Sequence, residues 1–247
     1  MLKELCQQTI TIVQEVGAFI QSEKDKVQTT DIVRKDKNDL VSYVDKESEK
    51  RLIEGLQTLL PDSSFLVEEG TIARTNNEYE WIIDPLDGTT NFLHGIPPYA
   101  ISVGLSHLGK MVMGVVLELN SNECFYAWKD GGAYLNENKI NVSPTPTLAD
   151  SIVSTGFPYK DFSFLPQYTD LLKHLLQNVR AMRRHGAASI DLCYVACGRF
   201  DAFFEFNLAA WDIAAGSFII QEAGGQVQDV KGTNDYIFGK SIIASNG

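Results

Sequence analysis

Apolar residues recur at helical spacing through the first twenty positions, at Leu2, Leu5, Ile12, Val13, Val16, Phe19 and Ile20, with Thr9 in phase. One face of that segment is apolar, which predicts an amphipathic helix fraying in Ser22-Glu23-Lys24-Asp25-Lys26. Residues 34–39 are polar throughout and predict a mobile loop. A second helical pattern runs over 46–60 and is closed by Pro61; Asp45 stands before it, as a helix N-cap or as a cap that also orients a catalytic group. Ser64-Phe65-Leu66-Val67-Glu68-Glu69-Gly70 is a short apolar run that brings two acids to a strand end. Further runs at 81–83, 99–106, 111–118 and 124–128 are separated by turn residues and predict an antiparallel meander. Past Ser143-Pro144-Thr145-Pro146-Thr147, a linker composition, the pattern changes. Strands at 151–155, 200–206, 226–230 and 236–244 then alternate with helices at 166–178, 187–197 and 211–223, the last stopped by Gly224-Gly225. The chain reads as two lobes of layered helices and sheets, 1–142 and 148–247.

Chemistry concentrates in Trp81-Ile82-Ile83-Asp84-Pro85-Leu86-Asp87-Gly88-Thr89-Thr90-Asn91-Phe92. Pro85 lacks a backbone donor and predicts the end of the strand, with Asp84 at its lip. Gly88 permits a tight turn, and Thr89 or Thr90 is placed to cap a short helix. Amides at a helix start suit a phosphate, whereas Asp84 and Asp87 would repel one. A divalent cation resolves that conflict: Asp84, Asp87 and the Leu86 carbonyl are hard oxygen donors of the kind magnesium takes. Taken alone, the stretch is also compatible with an Asx-type turn and solvated aspartates. Two residues separate the aspartates, with proline between them, so they cannot share a strand face at period two. That sets the motif apart from the Asp-x-Asp of covalent aspartyl phosphatases.

The 247 residues include 44% hydrophobic and 21% charged positions, ordinary for a water-soluble globular protein large enough for a sizeable core. A formal net charge of −11 argues against nucleic acid as the main partner. No unbroken apolar run suggests a signal peptide or membrane span. Cys6, Cys124, Cys193 and Cys197 have neither zinc-site nor disulfide spacing, which fits a reducing cytoplasm. Cys193 and Cys197 lie four apart in an apolar helical pattern and read as small buried hydrophobes. His94 and His107 have no histidine at ligand spacing and read as turn or surface residues. In the second lobe, Asp212 falls in the first turn of a helix, and Glu205 shares a strand face with Phe203, where a buried carboxylate needs a partner.

Four stretches in order, Asp39-Leu40-Val41-Ser42-Tyr43-Val44-Asp45, Glu68-Glu69, 81–92 and Ala210-Trp211-Asp212-Ile213-Ala214-Ala215-Gly216, resemble the inositol monophosphatase family of lithium-sensitive, magnesium-dependent phosphatases. The resemblance covers nearly the full chain. It implies an αβαβα sandwich, a homodimer, and two or three Mg2+ ions per site. By the same resemblance, Glu68, Asp84 and the Leu86 carbonyl are similar to the ligands of a first ion. Asp84, Asp87 and Asp212 resemble those of a second, with Glu68 near a weaker third. Gly88 and Thr89 resemble phosphate-binding groups, Asp45 the acid that hydrogen-bonds the threonine, and Glu205 the reader of a sugar hydroxyl. Lys35, or Arg34 beside it, matches the family's basic loop residue. Related sequences often carry Gly-Ser/Thr-Ala-Ala where this chain has Gly186-Ala187-Ala188-Ser189; the small backbone site at Ala188 is kept and the hydroxyl is displaced.

The expectation is therefore a phosphomonoesterase acting on a small sugar or polyol phosphate, inositol monophosphate foremost, through metal-activated water, with Glu68, Thr89 and Asp45 at the chemistry. Alternatives are a 3′(2′),5′-bisphosphate nucleotidase, although Asp87-Gly88-Thr89-Thr90-Asn91 differs from the Asp-Gly-Thr-Lys-Glu of those relatives, a fructose-1,6-bisphosphatase or histidinol phosphatase, and a non-catalytic protein on the same scaffold.

Overall fold

The computed structural model describes residues 1–27, 33–36, 39–158 and 161–247. The two apolar stripes form α1 (Leu2–Glu23) and α2 (Tyr43–Leu59). Between them β1 (Val33–Asp36) and β2 (Asp39–Val41) pair antiparallel where the polar composition predicts a loop. A ladder is bonded through the backbone, so a polar sequence gives no warning of it. Arg34 and Lys35 belong to β1, but their side chains lie outside the described residues.

Seven strands follow: β3 (Ser64–Val67), β4 (Tyr79–Asp87), β5 (Ala100–His107), β6 (Lys110–Glu118), β7 (Glu123–Trp128), β8 (Gly132–Leu135) and β9 (Asn138–Ile140). They lie side by side in chain order, with β3 parallel to β4 and every later pair antiparallel. The second half supplies β10 (Ile152–Thr155), α4 (Leu165–Asn178), β11 (Ala181–Arg183), α5 (Ala188–Ala196), β12 (Ala202–Phe206), α6 (Ala210–Glu222), β13 (Gln226–Gln228) and β14 (Ser241–Ser245). Its five-stranded sheet runs β11-β10-β12-β14-β13. β8, β9 and β11, three or four residues each, are too short to display a period of two, and the sequence pattern does not reveal them.

Side-chain alternation stacks these elements into five layers. Trp81, Ile83 and Ile101 face α1 and α2. Val116 and Phe125 face the other way, meeting Ile190, Leu192, Ile213 and Ile219 of α5 and α6. Those helices in turn cover Phe203 and Ile242 of the second sheet. Phe204 and Phe206 point outward onto Tyr168 and Leu175 of α4. The order is thus αβαβα, as the resemblance implies. α6 is buried continuously from Ile213 to Ile220 because it has a sheet on both sides. Of the four free cysteines, Cys193 is fully buried and Cys197 half-buried. Among the described residues, no helix is long and apolar enough to cross a membrane.

The seat of α6 is set by a pair of glycines. Gly104 and Gly114 face each other across β5 and β6. A Cβ at Gly114 would lie 2.6 Å from the Ala215 carbonyl oxygen and 3.1 Å from its Cα. Backbone cannot yield as a side chain can, so Gly114→Ala is expected to push α6 off the sheet and destabilise the fold by about 2 kcal/mol, as overpacking does. Urea unfolding of the variant measures this, and an unchanged midpoint would show that the contact does not hold α6.

Candidate active site

β4 does not stop at Pro85. Asp84 pairs with Ser102 and Asp87 with Ala100, so three steps on β4 oppose two on β5. The extra residue is a bulge, where proline's missing N–H costs no ladder bond. Asp84 Oδ1 accepts from the Leu86 amide at 2.9 Å. Gly88, at φ 87°, then turns the chain into α3 (Thr89–Leu93). A Cβ there would also meet the Pro98 carbonyl oxygen at 3.2 Å and Ala187 Cβ at 3.3 Å, so glycine is required twice over. Gly88 itself holds the cap position, and neither threonine caps the helix. The Thr89 hydroxyl instead lies 3.0 Å from Asp45 Oδ1 and 3.0 Å from the Leu86 carbonyl, and its single proton serves one of them at a time.

Asp45 is the third residue of α2, not its cap. Ser42 caps the helix, and Asp45 Oδ2 accepts from the Ser42 amide at 2.8 Å and the Ser42 hydroxyl at 2.7 Å. This is the reciprocal arrangement of a capping box. Burial raises the Asp45 carboxyl above the ordinary range, against the bonds from Ser42 and Thr89. One oxygen thus fixes the helix start and the other faces Thr89.

The second half reaches this turn through α5 and α6. Asp87 Oδ2 accepts from the Ser189 amide at 2.8 Å and the Ser189 hydroxyl at 2.6 Å, so the start of α5 receives a carboxylate of the chain itself. Asn91 Nδ2 donates to the carbonyls of Pro98 and His185, both at 2.8 Å, and ties α3 to the segment before α5. In the first turn of α6, Asp212 Oδ2 accepts from the Ala209 amide at 2.7 Å. The Ser102 hydroxyl donates to the Trp211 carbonyl at 3.2 Å, which fixes that turn against β5.

Asp84 is 2% exposed, and its carboxyl is raised well above the usual range, first by burial and then by the charges of Glu68, Asp87 and Asp212. It also lies within hydrogen-bonding reach of Glu68, a contact that two ionised carboxylates cannot make without a proton between them. Glu68, Asp84, Asp87 and Asp212, separated in the chain, therefore share one electrostatic neighbourhood. Among the described residues, no group of three or more His, Cys, Asp or Glu side chains is placed to hold a metal ion as it stands. The donor set is nonetheless hard oxygen in a strongly negative field, which suits Mg2+ or Ca2+ rather than a soft metal.

Beside the cluster is a cavity of about 140 Å³ whose wall includes Asp87, Asp212, Ala188, Glu205, Arg184 and Asp191. Burial, then Asp191 and Asp212, push Glu205 well above its usual range, while Arg184 opposes the shift. The structure thus brings Glu205, Ala188, Asp87 and Asp212 to one cavity, and Thr89, Asp45 and the Leu86 carbonyl to one turn. Ser189, displaced in the sequence motif, binds Asp87. Sequence reasoning also passed over Asn91 and the His185–Asp191 pair, 2.9 Å apart, of which Asp191 lines the cavity. Ser42 was legible in principle, because Ser-x-x-Asp before a helical stripe is a capping signature.

Five alternating layers around an acid cluster define a phosphatase fold of a generally metal-dependent class. The chain belongs to the inositol monophosphatase family, whose model matches residues 1–247. It is 48% identical over 210 residues to the putative Nus factor SuhB of Neisseria meningitidis serogroup B, covering 85% of this chain and 80% of that protein. It is 41% identical over 233 residues to the inositol-1-monophosphatase of Rhizobium meliloti, covering 94% and 88%. The crystal structure of extragenic suppressor protein suhB from Bartonella henselae matches with a TM-score of 0.92 at 38% identity, over 97% of this chain and 93% of that one.

Burial, with Asp191 adding to it and Ser189 opposing, pushes the Asp87 carboxyl from 3.8 to about 6. Between those values the folded chain holds a proton that the unfolded chain has released, so Asp87 costs stability as pH rises through that window. In the absence of divalent cations, Asp87→Asn should therefore gain stability relative to the parent chain between pH 4 and 7, by about 2 kcal/mol. Denaturation of both proteins across that range tests it, and parallel pH profiles would contradict it.

Proposed function

We propose that this chain is a magnesium-dependent phosphomonoesterase that hydrolyses a small sugar or polyol phosphate, inositol monophosphate first among them, by attack of water. The observation that carries this reading is the buried Asp84 carboxyl, raised first by its burial and then by the charges of Glu68, Asp87 and Asp212, with the Thr89 hydroxyl on the neighbouring Leu86 carbonyl. Such a cluster calls for cations. In this reading Glu68, Asp84 and the Leu86 carbonyl hold one ion, and Asp84, Asp87 and Asp212 a second, with Glu68 near a weaker third. Bound there, the ions would neutralise the phosphate oxygens and lower the proton affinity of a water. Thr89 Oγ, steadied between Asp45 and the Leu86 carbonyl, orients that water for in-line attack. Asp45 acts through Thr89: its carboxylate draws the Thr89 proton and leaves the hydroxyl oxygen free to accept from the water. The Gly88 and Thr89 amides receive the phosphate, and Ala188 leaves room beside it.

Glu205 accepts a hydroxyl of the polyol. The cavity of about 140 Å³ supports a small substrate, since sites for drug-sized ligands run to about 300–1,000 Å³. The name of the Neisseria relative supports a second reading, in which the chain serves as a Nus factor and does not depend on turnover.

Asp84→Asn removes the ligand common to both ions and is expected to lower kcat by several orders of magnitude, about 4 kcal/mol or more of barrier. A near-parental rate at saturating Mg2+ would refute the assignment. Phosphate release from inositol monophosphate, adenosine 3′,5′-bisphosphate, fructose 1,6-bisphosphate and histidinol phosphate ranks the substrates. Silence across that panel would favour the second reading.

A further inference from the structure

The buried stripe of α2 is apolar over its later turns, at Leu52, Ile53 and Leu56, but carries Asp45 and Glu49 one turn apart near its start. Both are as buried as the leucines, at 1% and 0% exposure. A buried carboxylate needs donors, and Glu49 takes three from a single place, the turn after β3. Its Oε2 accepts from the Glu69 amide at 2.6 Å, and its Oε1 accepts from the Thr71 amide at 2.8 Å and the Thr71 hydroxyl at 2.7 Å. Gly70, at φ 66° between them, lets both amides face the same carboxylate. Glu68 is the residue immediately before the first of these amides.

We propose that Glu49 is a positioning residue for Glu68, so that one face of α2 aligns two sides of the divalent-cation site. Asp45 holds the Thr89 hydroxyl, and Glu49, one turn on, clamps the turn that carries Glu68. The rise of one helical turn, about 5.4 Å, then sets the offset between the two. This rests on the reading of Glu68 as a cation ligand. Groups that orient a metal ligand from behind govern how tightly the ion is held more than how substrate is bound.

The test measures Mg2+ binding by calorimetry on the full chain without substrate, alongside kcat and KM at saturating Mg2+. Glu49→Gln replaces one accepting oxygen by an NH2 group that faces an N–H, and Thr71→Val removes one of the three bonds. Glu49→Gln should weaken Mg2+ binding about 10–100-fold, with KM unchanged once the ion is saturating, and Thr71→Val should weaken it less. Ile53→Val, on the same stripe, is a control that lowers stability and leaves Mg2+ affinity alone. Parental Mg2+ affinity in a folded Glu49→Gln, or an equal loss in Ile53→Val, overturns the inference while the phosphatase reading stands. If Glu49→Gln does not fold, unchanged affinity in Thr71→Val overturns it. A parent chain that binds no Mg2+ overturns the phosphatase reading and this inference together.

Discussion

Like charges in a buried space repel, and the gathering of Glu68, Asp84, Asp87 and Asp212 is the constraint around which the rest of the chain is arranged. At an effective dielectric of about 20, two such charges about 4 Å apart oppose each other by about 4 kcal/mol, comparable with the whole net stability of many domains. The raised Asp84 carboxyl, within hydrogen-bonding reach of Glu68, relieves part of this by keeping its proton. Three of the acids are held by backbone donors that belong to rigid elements: Asp84 by the Leu86 amide in the bulge, Asp87 by the Ser189 amide at the start of α5, and Asp212 by the Ala209 amide at the start of α6. The elements that carry them are fixed by hydrophobic burial elsewhere, so the core supplies the energy that the site spends. That coupling explains why a glycine pair under α6, remote from the acids in sequence, bears on where Asp212 sits.

The middle layer does most of this positioning. α5 and α6 are apolar on nearly every face because they lie between two sheets, and a helix enclosed in that way has little freedom to rotate or slide. Their N-terminal turns emerge at one edge of the layer, where each meets the β4–β5 end of the first sheet. Polar ties between the halves include Asp87 on Ser189, Arg199 on Glu123, and Glu222 on the Asp130 and Gly132 amides; two more are the Ser102 hydroxyl on the Trp211 carbonyl and Asn91 on the His185 carbonyl. Both lie within a few residues of a cluster or cavity acid.

Much of this was legible from periodicity, because burial imposes it. The stripes of α1 and α2, the meander from β4 to β7 and the alternation of β12 are direct imprints of which face meets the core. Register was not legible. Pro85 reads as a strand end because proline removes a ladder donor, yet a bulge gives it a place inside β4, and only the pairing of Asp84 with Ser102 and Asp87 with Ala100 reveals that. Asp45 reads as a cap because it precedes an apolar run, while the helix begins three residues earlier behind Ser42. Glu49 escapes sequence reasoning for a related reason: an acid on a helix is ordinarily solvated, and its burial depends on donors in a turn twenty residues on. The acids that face one another were found through their motifs. The groups that hold them in place were not, since their partners are distant and are mostly backbone.

Asp87 and Asp212 belong both to the acid cluster and to the wall of the neighbouring cavity, and this has a thermodynamic consequence for the proposed activity. An anionic phosphate entering that cavity meets two carboxylates on the cluster side, with Glu205 and Asp191 on the other walls and Arg184 as a cationic counterweight. Whatever neutralises the cluster also removes most of the repulsion the phosphate would feel, so cation and substrate must assist each other's binding by the same free energy. A polyol bearing one phosphate suits this field, because its charge sits at the cluster and its neutral hydroxyls meet the remaining acids, which accept hydrogen bonds. In the proposed reading, the charge of the substrate and the charge of the cations are thus matched before any shape complementarity acts.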